Sequence, residues 1–168
     1  MTLKEINKTR YRKHLNYVIV AFIASLTILA LLFGYLFISI FSTPEGDNFQ
    51  YNLAGVISAL LICGGILHKL KDSAFFTEIY YVWQLKQQQN LIYRKMKKIK
   101  QAANDNDLQA INILYFYYQS LKQVYTLDDN TLTLDKVNLA INTLEATANN
   151  LSLDLTLFNY KRELLSHY

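Results

Sequence analysis

The stretch Tyr17–Phe41, YVIVAFIASLTILALLFGYLFISIF, contains no charged residue and decides the fold class. As a helix it is about 37 Å long at about 1.5 Å per residue, which exceeds the roughly 30 Å hydrocarbon core of a bilayer. A core helix of a soluble domain is one alternative, but few domains of this size can enclose such a helix on every side. A cleaved signal peptide is the other, and its apolar region is usually only about 7–15 residues long. We therefore predict a transmembrane helix over residues 17–41, retained as an anchor.

A second stretch without Lys, Arg, Asp or Glu predicts a shorter transmembrane helix over residues 48–68. Small residues recur along it at every fourth position and form one ridge: Gly55, Ala59 and Cys63. Because lipid gives helices no hydrophobic reason to pair, close packing along such ridges holds transmembrane helices together. We expect the ridge to pack against the small residues of the first span, which are Ala21, Ser25, Ala30 and Gly34. Pairing between two chains is the alternative.

The charges that flank the two spans predict their orientation. Residues 42–47 contain two acids and no Lys or Arg, whereas basic residues precede the first span and follow the second: Lys8, Arg10, Arg12, Lys13, Lys69 and Lys71. Cytoplasmic segments carry the excess of basic residues, so we expect both termini in the cytoplasm and the turn at residues 42–47 outside. The basic segment 1–16 either forms a short helix on the lipid surface or only fixes the orientation, and both interpretations stay open.

Residues 69–168 predict a cytoplasmic helical domain. Neither Pro nor Gly occurs from residue 70 onward, and three apolar seams repeat with spacings of three and four residues, over 82–103, 111–125 and 134–151. Such spacing gives each helix a narrow apolar face. An antiparallel bundle fits this pattern, with an intermolecular coiled coil through the first seam as the alternative. The predicted fold is thus an all-α membrane protein, in which a two-helix transmembrane hairpin carries a cytoplasmic antiparallel helical bundle.

Polar segments mark the ends of these helices. The first seam is interrupted by one polar residue, Gln89, and ends at the run Asn-Asp-Asn-Asp over residues 104–107. Thr133 is the predicted N-cap of the third helix, because its hydroxyl can accept a hydrogen bond from the first turn. Residues 152–168 are expected to form coil and a short terminal helix that Asn159 caps.

Composition excludes several classes of protein. Hydrophobic residues make up 52 % and charged residues 18 % of the chain, which excludes intrinsic disorder. The single Cys excludes a disulfide scaffold. Residues 1–100 carry a net charge of +8 and residues 101–168 one of −4. A basic half indicates nucleic acid or an anionic membrane, and the apolar spans favour the membrane. The basic run at residues 94–100 then predicts a solvated helix face, with lipid contact as the alternative if the helix lies along the membrane. Nucleic acid is disfavoured as a partner.

Aromatic residues are abundant in the predicted cytoplasmic domain. Consecutive rings cannot all face one core, so some of them are expected to contact a partner, a neighbouring helix or lipid. The candidate interaction face comprises Tyr80, Trp83, Tyr115 and Tyr118.

Sites for catalysis are absent from the sequence pattern. The three His residues have no metal-ligand spacing to one another or to the Cys, and Asp128-Asp129-Asn130 lacks the Gly and Glu of a calcium loop. Neither a P-loop nor a G-x-S-x-G motif occurs. We expect no catalytic, cofactor or metal-binding residue, and a protein that is not an enzyme.

Four segments resemble a family of small two-span bacterial membrane proteins known only as a domain of unknown function. The segments are residues 10–16 (RYRKHLN), 44–46 (PEG), 80–86 (YYVWQLK) and 127–132 (LDDNTL). The resemblance covers most of the chain and implies the bacterial inner membrane as its location. It implies no activity and no site residues.

Two functions from different classes are compatible with these features. The first is a membrane-anchored helical interaction or scaffold protein, whose partner is a membrane protein, a cytoplasmic protein or a second copy of the chain. The alternative is an oligomeric small-channel or transporter-accessory subunit. The absence of charged residues from both spans disfavours the alternative, because ion pathways usually need them.

Overall fold

A computed structural model describes residues 1–42, 46–155 and 160–168. It divides into two compact units. The hairpin unit comprises Thr9–Tyr80, and the bundle unit comprises Met1–Lys8 together with Tyr81–Tyr168. Six α-helices and one 3₁₀ helix make up the regular structure of the described residues, in which no strand occurs. The all-helical prediction is confirmed.

Two long helices form most of the hairpin unit. α1 spans Lys8–Phe41 and α2 spans Phe49–Leu70. Both are long and apolar enough to cross a membrane. Only 6 % of the most apolar part of α1 and 17 % of that of α2 are buried within the structure, unlike the core helix of a soluble protein. Each helix therefore exposes apolar side chains along most of its length.

The bounds of α1 differ from the prediction at one end. The helix runs without interruption from Lys8 through the apolar stretch that begins at Tyr17. No Pro or Gly lies between these residues, so nothing in the backbone separates a surface helix from the span. The second half of the basic segment 1–16 is thus an extension of the apolar helix.

Hydrogen bonds close the hairpin on both sides of the turn. The hydroxyl of Tyr51 donates to the carbonyl oxygen of Phe41 at 2.7 Å, and the hydroxyl of Ser42 donates to Oδ1 of Asn48 at 3.0 Å. The predicted turn over residues 42–47 includes Thr43, Pro44 and Glu45, which lie outside the described residues.

The small-residue ridge of α2 packs within the hairpin. Gly55, Ala59 and Cys63 are the buried residues of α2. A Cβ atom added to Gly55 would lie 2.5 Å from the backbone nitrogen of Gly34 and 3.0 Å from the carbonyl oxygen of Ala30. The two backbones approach this closely because neither glycine has a side chain. The expected contact is formed with Ala30 and Gly34 of the first span, whereas Ala21 and Ser25 line a cavity between the helices.

Four α-helices form most of the bundle unit, which also includes the N-terminal segment Met1–Lys8. Their bounds are α3, Thr77–Arg94, whose last fourteen residues belong to this unit; α4, Met96–Asn104; α5, Leu108–Leu127; and α6, Leu134–Asn150. A 3₁₀ helix, Arg162–His167, follows. α5 is the central helix, because α4 and α6 both pack against it and ten of its residues are buried.

The first apolar seam forms part of the core of the bundle in the predicted register. The predicted seam of α5 is wrong beyond Leu114, because Tyr118, Leu121 and Tyr125 are only half-buried and the buried residues include Tyr117, Val124 and Leu127. Leu85, Ile92, Ile99 and Ile111 have no exposed surface. The polar interruption at Gln89 is satisfied, because its Nε2 donates to the hydroxyl of Ser120 at 3.1 Å and that hydroxyl donates to a backbone carbonyl. Buried polar groups need such partners to avoid the cost of desolvation.

The first seam is carried by two helices instead of the single one its spacing predicts. The interruption lies at Lys95, whose backbone has φ −110° and ψ 6°. Its Nζ donates at 2.7 Å to the carbonyl oxygen of Leu165, seventy residues away. A local apolar pattern carries no information on this distant contact.

Helix ends in the bundle depend on Asp, Asn and Ser. The carboxylate of Asp107 caps α5 by accepting from the backbone nitrogens of the first turn at 2.8 and 3.2 Å. Asn106, Asp129 and Ser152 adopt left-handed φ values of 63°, 56° and 54°. Each stands just after a helix where a glycine commonly ends it.

Thr133 and Asn159 were the two predicted caps. Thr133 occupies the N-cap position of α6, but its side chain makes no capping hydrogen bond, so the predicted capping contact is wrong. Its backbone has φ −107° and ψ −4°, whereas a capping residue usually adopts an extended backbone. Asn159 lies outside the described residues.

Candidate functional site

A groove of about 710 Å³ lies on the surface of the bundle unit between α4 and α6. Ile111, Leu114 and Tyr118 of α5 form its floor, and Leu139 and Leu144 of α6 form one wall. The floor residues follow the spacing of three and four residues that places side chains on one helix face. The sequence predicts a face closed by neighbouring helices, and Ile111 and Leu114 are buried in this way, whereas Tyr118 is only half-buried.

Burial shows that the groove has an apolar base and an exposed apolar edge. Ile111 is fully buried and Leu114 is 4 % exposed, whereas Leu139 is 68 % exposed. The α6 residues that line the groove extend from Lys136 to Thr147, a rise of about 16 Å or three helical turns. This length suits a short helix laid against the groove.

The charge of the groove is positive. Lys100 of α4 and Lys136 of α6 line it and are both exposed. Of the described residues that line it, none is Asp or Glu. An apolar base between two lysines favours an amphipathic segment with acidic flanks.

The basic run at residues 94–100 is divided between two roles. Arg94, Lys97, Lys98 and Lys100 are exposed, as a solvated face predicts. Lys95 instead binds the carbonyl oxygen of Leu165. The run therefore contributes Lys95 to a hydrogen bond within the unit and Lys100 to the groove.

The predicted aromatic face is not formed as one surface. Tyr80 belongs to the hairpin unit, where Nζ of Lys71 lies 5.8 Å from its ring centroid. Trp83, 53 % exposed, lines a second groove beside the N-terminal residues. Tyr115 lines a third groove, where its hydroxyl donates to Glu145 at 3.1 Å. Of these four residues, only Tyr118 lines the α4–α6 groove. Helical spacing puts these rings in different directions.

The family model described as "Protein of unknown function (DUF3087)" matches residues 1–165. The chain belongs to this family. No curated protein and no solved structure matches the chain. The match to DUF3087 covers both the hairpin unit and the bundle unit, so one family domain combines the two.

The N-terminal strap of this DUF3087 protein, residues 1–8, is a feature that sequence patterns do not reveal. The backbone nitrogen of Lys4 donates to the hydroxyl of Tyr81 at 2.9 Å, and that hydroxyl donates to Oε1 of Gln123 at 3.0 Å. Nε2 of Gln123 completes the ring by donating to the carbonyl oxygen of Lys4. Burial raises the pKa of Tyr81, against the opposing effect of the hydrogen bond that its hydroxyl accepts from the backbone of Lys4.

Two of the predicted membrane-surface basic residues bind carboxylates of the protein. Lys8 forms an ion pair with Asp129 in the bundle unit. Nε of Arg10 lies 3.1 Å from Oε1 of Glu78 in the hairpin unit. Arg12, Lys13 and Lys69 are exposed, and Lys71 is half-buried. The sequence shows the positive charge at these positions but not the distant acids that bind two of them.

Metal-ligating residues do not cluster in the part of the chain that the structure describes. Across residues 1–42, 46–155 and 160–168, His, Cys, Asp and Glu side chains form no group of three or more that could hold an ion.

Proposed function

We propose that this protein is a membrane-anchored helical scaffold that binds an acidic amphipathic helix of a partner protein in the α4–α6 groove. The hairpin unit is its anchor in the bacterial inner membrane, with both termini in the cytoplasm. The observation that carries the proposal is the groove, because Tyr118 and Leu144 are only half-buried along it and Leu139 on its edge is 68 % exposed.

The anchor is supported by surface and charge. α1 and α2 expose apolar side chains along their length, and lipid is the environment in which such surface is stable. The exposed Lys13 and Lys69 lie at the end of the hairpin opposite the acidic turn. This distribution favours an inward position for both termini.

The class of partner follows from the chemistry of the groove. Helix-in-groove binding uses apolar anchors at spacings of three, four and seven residues, which match a groove about three turns long. Lys100 and Lys136 favour acidic residues on the flanks of such a helix, because complementary charges guide association and disfavour wrong partners. We propose a binding role and not a catalytic one.

Site-specific photocrosslinking in living cells tests the proposal. A benzophenone side chain at Leu139 should crosslink one partner protein, whereas the same group at Leu132, which is 92 % exposed outside the groove, should not. The crosslinked peptide should be an amphipathic helix with acidic flanks.

Charge reversal supplies the matched control. The double variant Lys100→Glu/Lys136→Glu should abolish the Leu139 crosslink. The control Lys97→Glu/Lys98→Glu should leave it intact, because both residues lie on α4 with Lys100 but outside the groove lining. Equal crosslinking at Leu139 and Leu132, or a crosslink to a second copy of the chain, would overturn the proposal.

A further inference from the structure

A second cavity, about 420 Å³ in volume, lies between α1 and α2 within the hairpin unit. Ala21 and Ser25 of α1 and Cys63 of α2 line its walls, and the rings of Phe75 and Phe76 line one end. Its volume is in the range of about 300–1,000 Å³ that is typical of small-molecule sites. The cavity exists because small side chains leave space where larger ones would fill the gap between the helices.

The length of this cavity corresponds to one leaflet of a bilayer. Its α1 residues run from Tyr17 to Ser25, a rise of about 12 Å. Half of a hydrocarbon core is about 15 Å thick. The cavity therefore spans most of the leaflet on the side of the hairpin where α1 begins and α2 ends, and it stops before the midplane.

The aromatic end of the cavity adjoins basic residues. The ring of His14 stacks on Phe75 with centroids 4.1 Å apart, and its Nδ1 lies 2.9 Å from the carbonyl oxygen of Phe75. Lys13 lies one turn before Tyr17, and Lys69 and Lys71 flank the lining residue Leu70.

Two carboxylates belong to the same end of the unit. Asp72 is exposed, and Glu78 binds Arg10. Residues 9–15 and 68–80 together contain five Lys or Arg against these two acids. The end of the cavity thus has an excess of positive charge beside apolar walls.

We propose that this cavity holds one acyl chain of an anionic phospholipid, whose phosphate lies among Lys13, Lys69 and Lys71. The proposal rests on the membrane insertion of the proposed function. An apolar cleft with a basic mouth is complementary to a chain that ends in a negative headgroup, and its length matches a lipid of the adjoining leaflet. Each basic residue near an anionic lipid surface contributes about 1 kcal/mol, or about fivefold in affinity.

Native mass spectrometry of the full chain tests the proposal. The protein is reconstituted with phosphatidylglycerol and phosphatidylethanolamine in equal amounts and released in mild detergent. One phosphatidylglycerol per chain should remain bound. Ala21→Phe, which fills the cavity, should reduce the retained lipid at least tenfold. Gly65→Phe should not, because Gly65 is exposed outside the cavity lining and a Cβ atom there meets no atom within 4 Å.

Charge variants keep the test valid if Ala21→Phe fails to fold. Lys13→Gln/Lys69→Gln/Lys71→Gln leaves the cavity walls unchanged and should remove the preference for phosphatidylglycerol over phosphatidylethanolamine. Equal retention of both lipids by the wild type, retention of a free fatty acid in place of the phospholipid, or full retention by Ala21→Phe would overturn the proposal.

Alkaline carbonate extraction separates this proposal from the proposed function. If the wild type stays in the membrane pellet but retains no phosphatidylglycerol, the lipid site is wrong and the anchor stands. If carbonate releases the wild type, both are wrong.

Discussion

Replacing Gly55 with alanine places a methyl carbon 2.5 Å from the backbone nitrogen and 2.9 Å from the Cα of Gly34. Carbon atoms in good contact are about 3.5 Å or more apart, so the helices must separate locally by about 1 Å. The atoms that are too close belong to the backbone, which cannot rotate away as a side chain can. Overpacking of this kind costs about 1–3 kcal/mol. A Cβ atom at Gly65 meets no atom within 4 Å. Gly65→Ala is therefore the matched control, because it gains the same helix propensity as Gly55→Ala without the close contact.

Cys63 reports the opening of the hairpin. It is the sole cysteine and is 4 % exposed in the α2 ridge. Labelling by a maleimide in mild detergent requires local opening, so a cost of about 1–3 kcal/mol should speed labelling about 5- to 150-fold in Gly55→Ala. Gly65→Ala should label at the wild-type rate. Gly34→Ala should have a smaller effect than Gly55→Ala, because its nearest contact is the side-chain oxygen of Asn52 at 2.9 Å. Equal rates in Gly55→Ala and Gly65→Ala would refute the packing of the hairpin described here.

Three further predictions concern the bundle unit, with stability measured by chemical denaturation of the full chain in detergent. Tyr160→Phe should stabilise it by about 1 kcal/mol, because the buried hydroxyl has no partner among the described residues while the ring stacks on Phe116 at 4.4 Å. Burial raises the pKa of Tyr160 to about 12 from 10.0. The free energy of unfolding of the wild type should therefore fall from about pH 10 to 12, because the tyrosine of the unfolded chain loses its proton first, and that of Tyr160→Phe should fall less. An identical loss in both proteins would contradict this. Ser152→Gly should gain about 0.5–1 kcal/mol by relieving a left-handed φ of 54°, and Ser152→Ala should gain nothing. Tyr81→Phe should cost about 1–2 kcal/mol and expose the N-terminal strap to protease, because the backbone nitrogen of Lys4 loses its acceptor; unchanged proteolysis would argue against the strap.

The periodicity of the sequence was sufficient to place the core faces of α3 and α4, but not that of α5 beyond Leu114, where Tyr117 and Val124 are buried instead of Tyr118 and Tyr125. Each helix buries residues spaced by three and four, so Leu85, Ile92 and Ile99 could be assigned to a core without knowledge of what covers them. The ridge at Gly55 was predictable for a similar reason, since lipid leaves close packing as the main way for two such helices to pair.

Contacts between distant residues could not be predicted in this way. At the break, Lys95 binds the carbonyl oxygen of Leu165, and the strap is held by a hydrogen-bonded ring that joins Lys4 to Tyr81 across 77 residues. The α4–α6 groove depends on where two helices pack on α5. These features arise from tertiary packing, about which a single helical pattern carries no information.

The orientation of the hairpin is the central claim, and cysteine accessibility tests it most directly. In a Cys63→Ser background, one new cysteine is placed in the turn (Gly46→Cys) and another at the exposed end of α6 (Asn150→Cys). A membrane-impermeant maleimide added to intact spheroplasts should label the cysteine at position 46 at once and the cysteine at position 150 only after lysis. Labelling of position 150 in intact spheroplasts, or protection of position 46, would contradict the account.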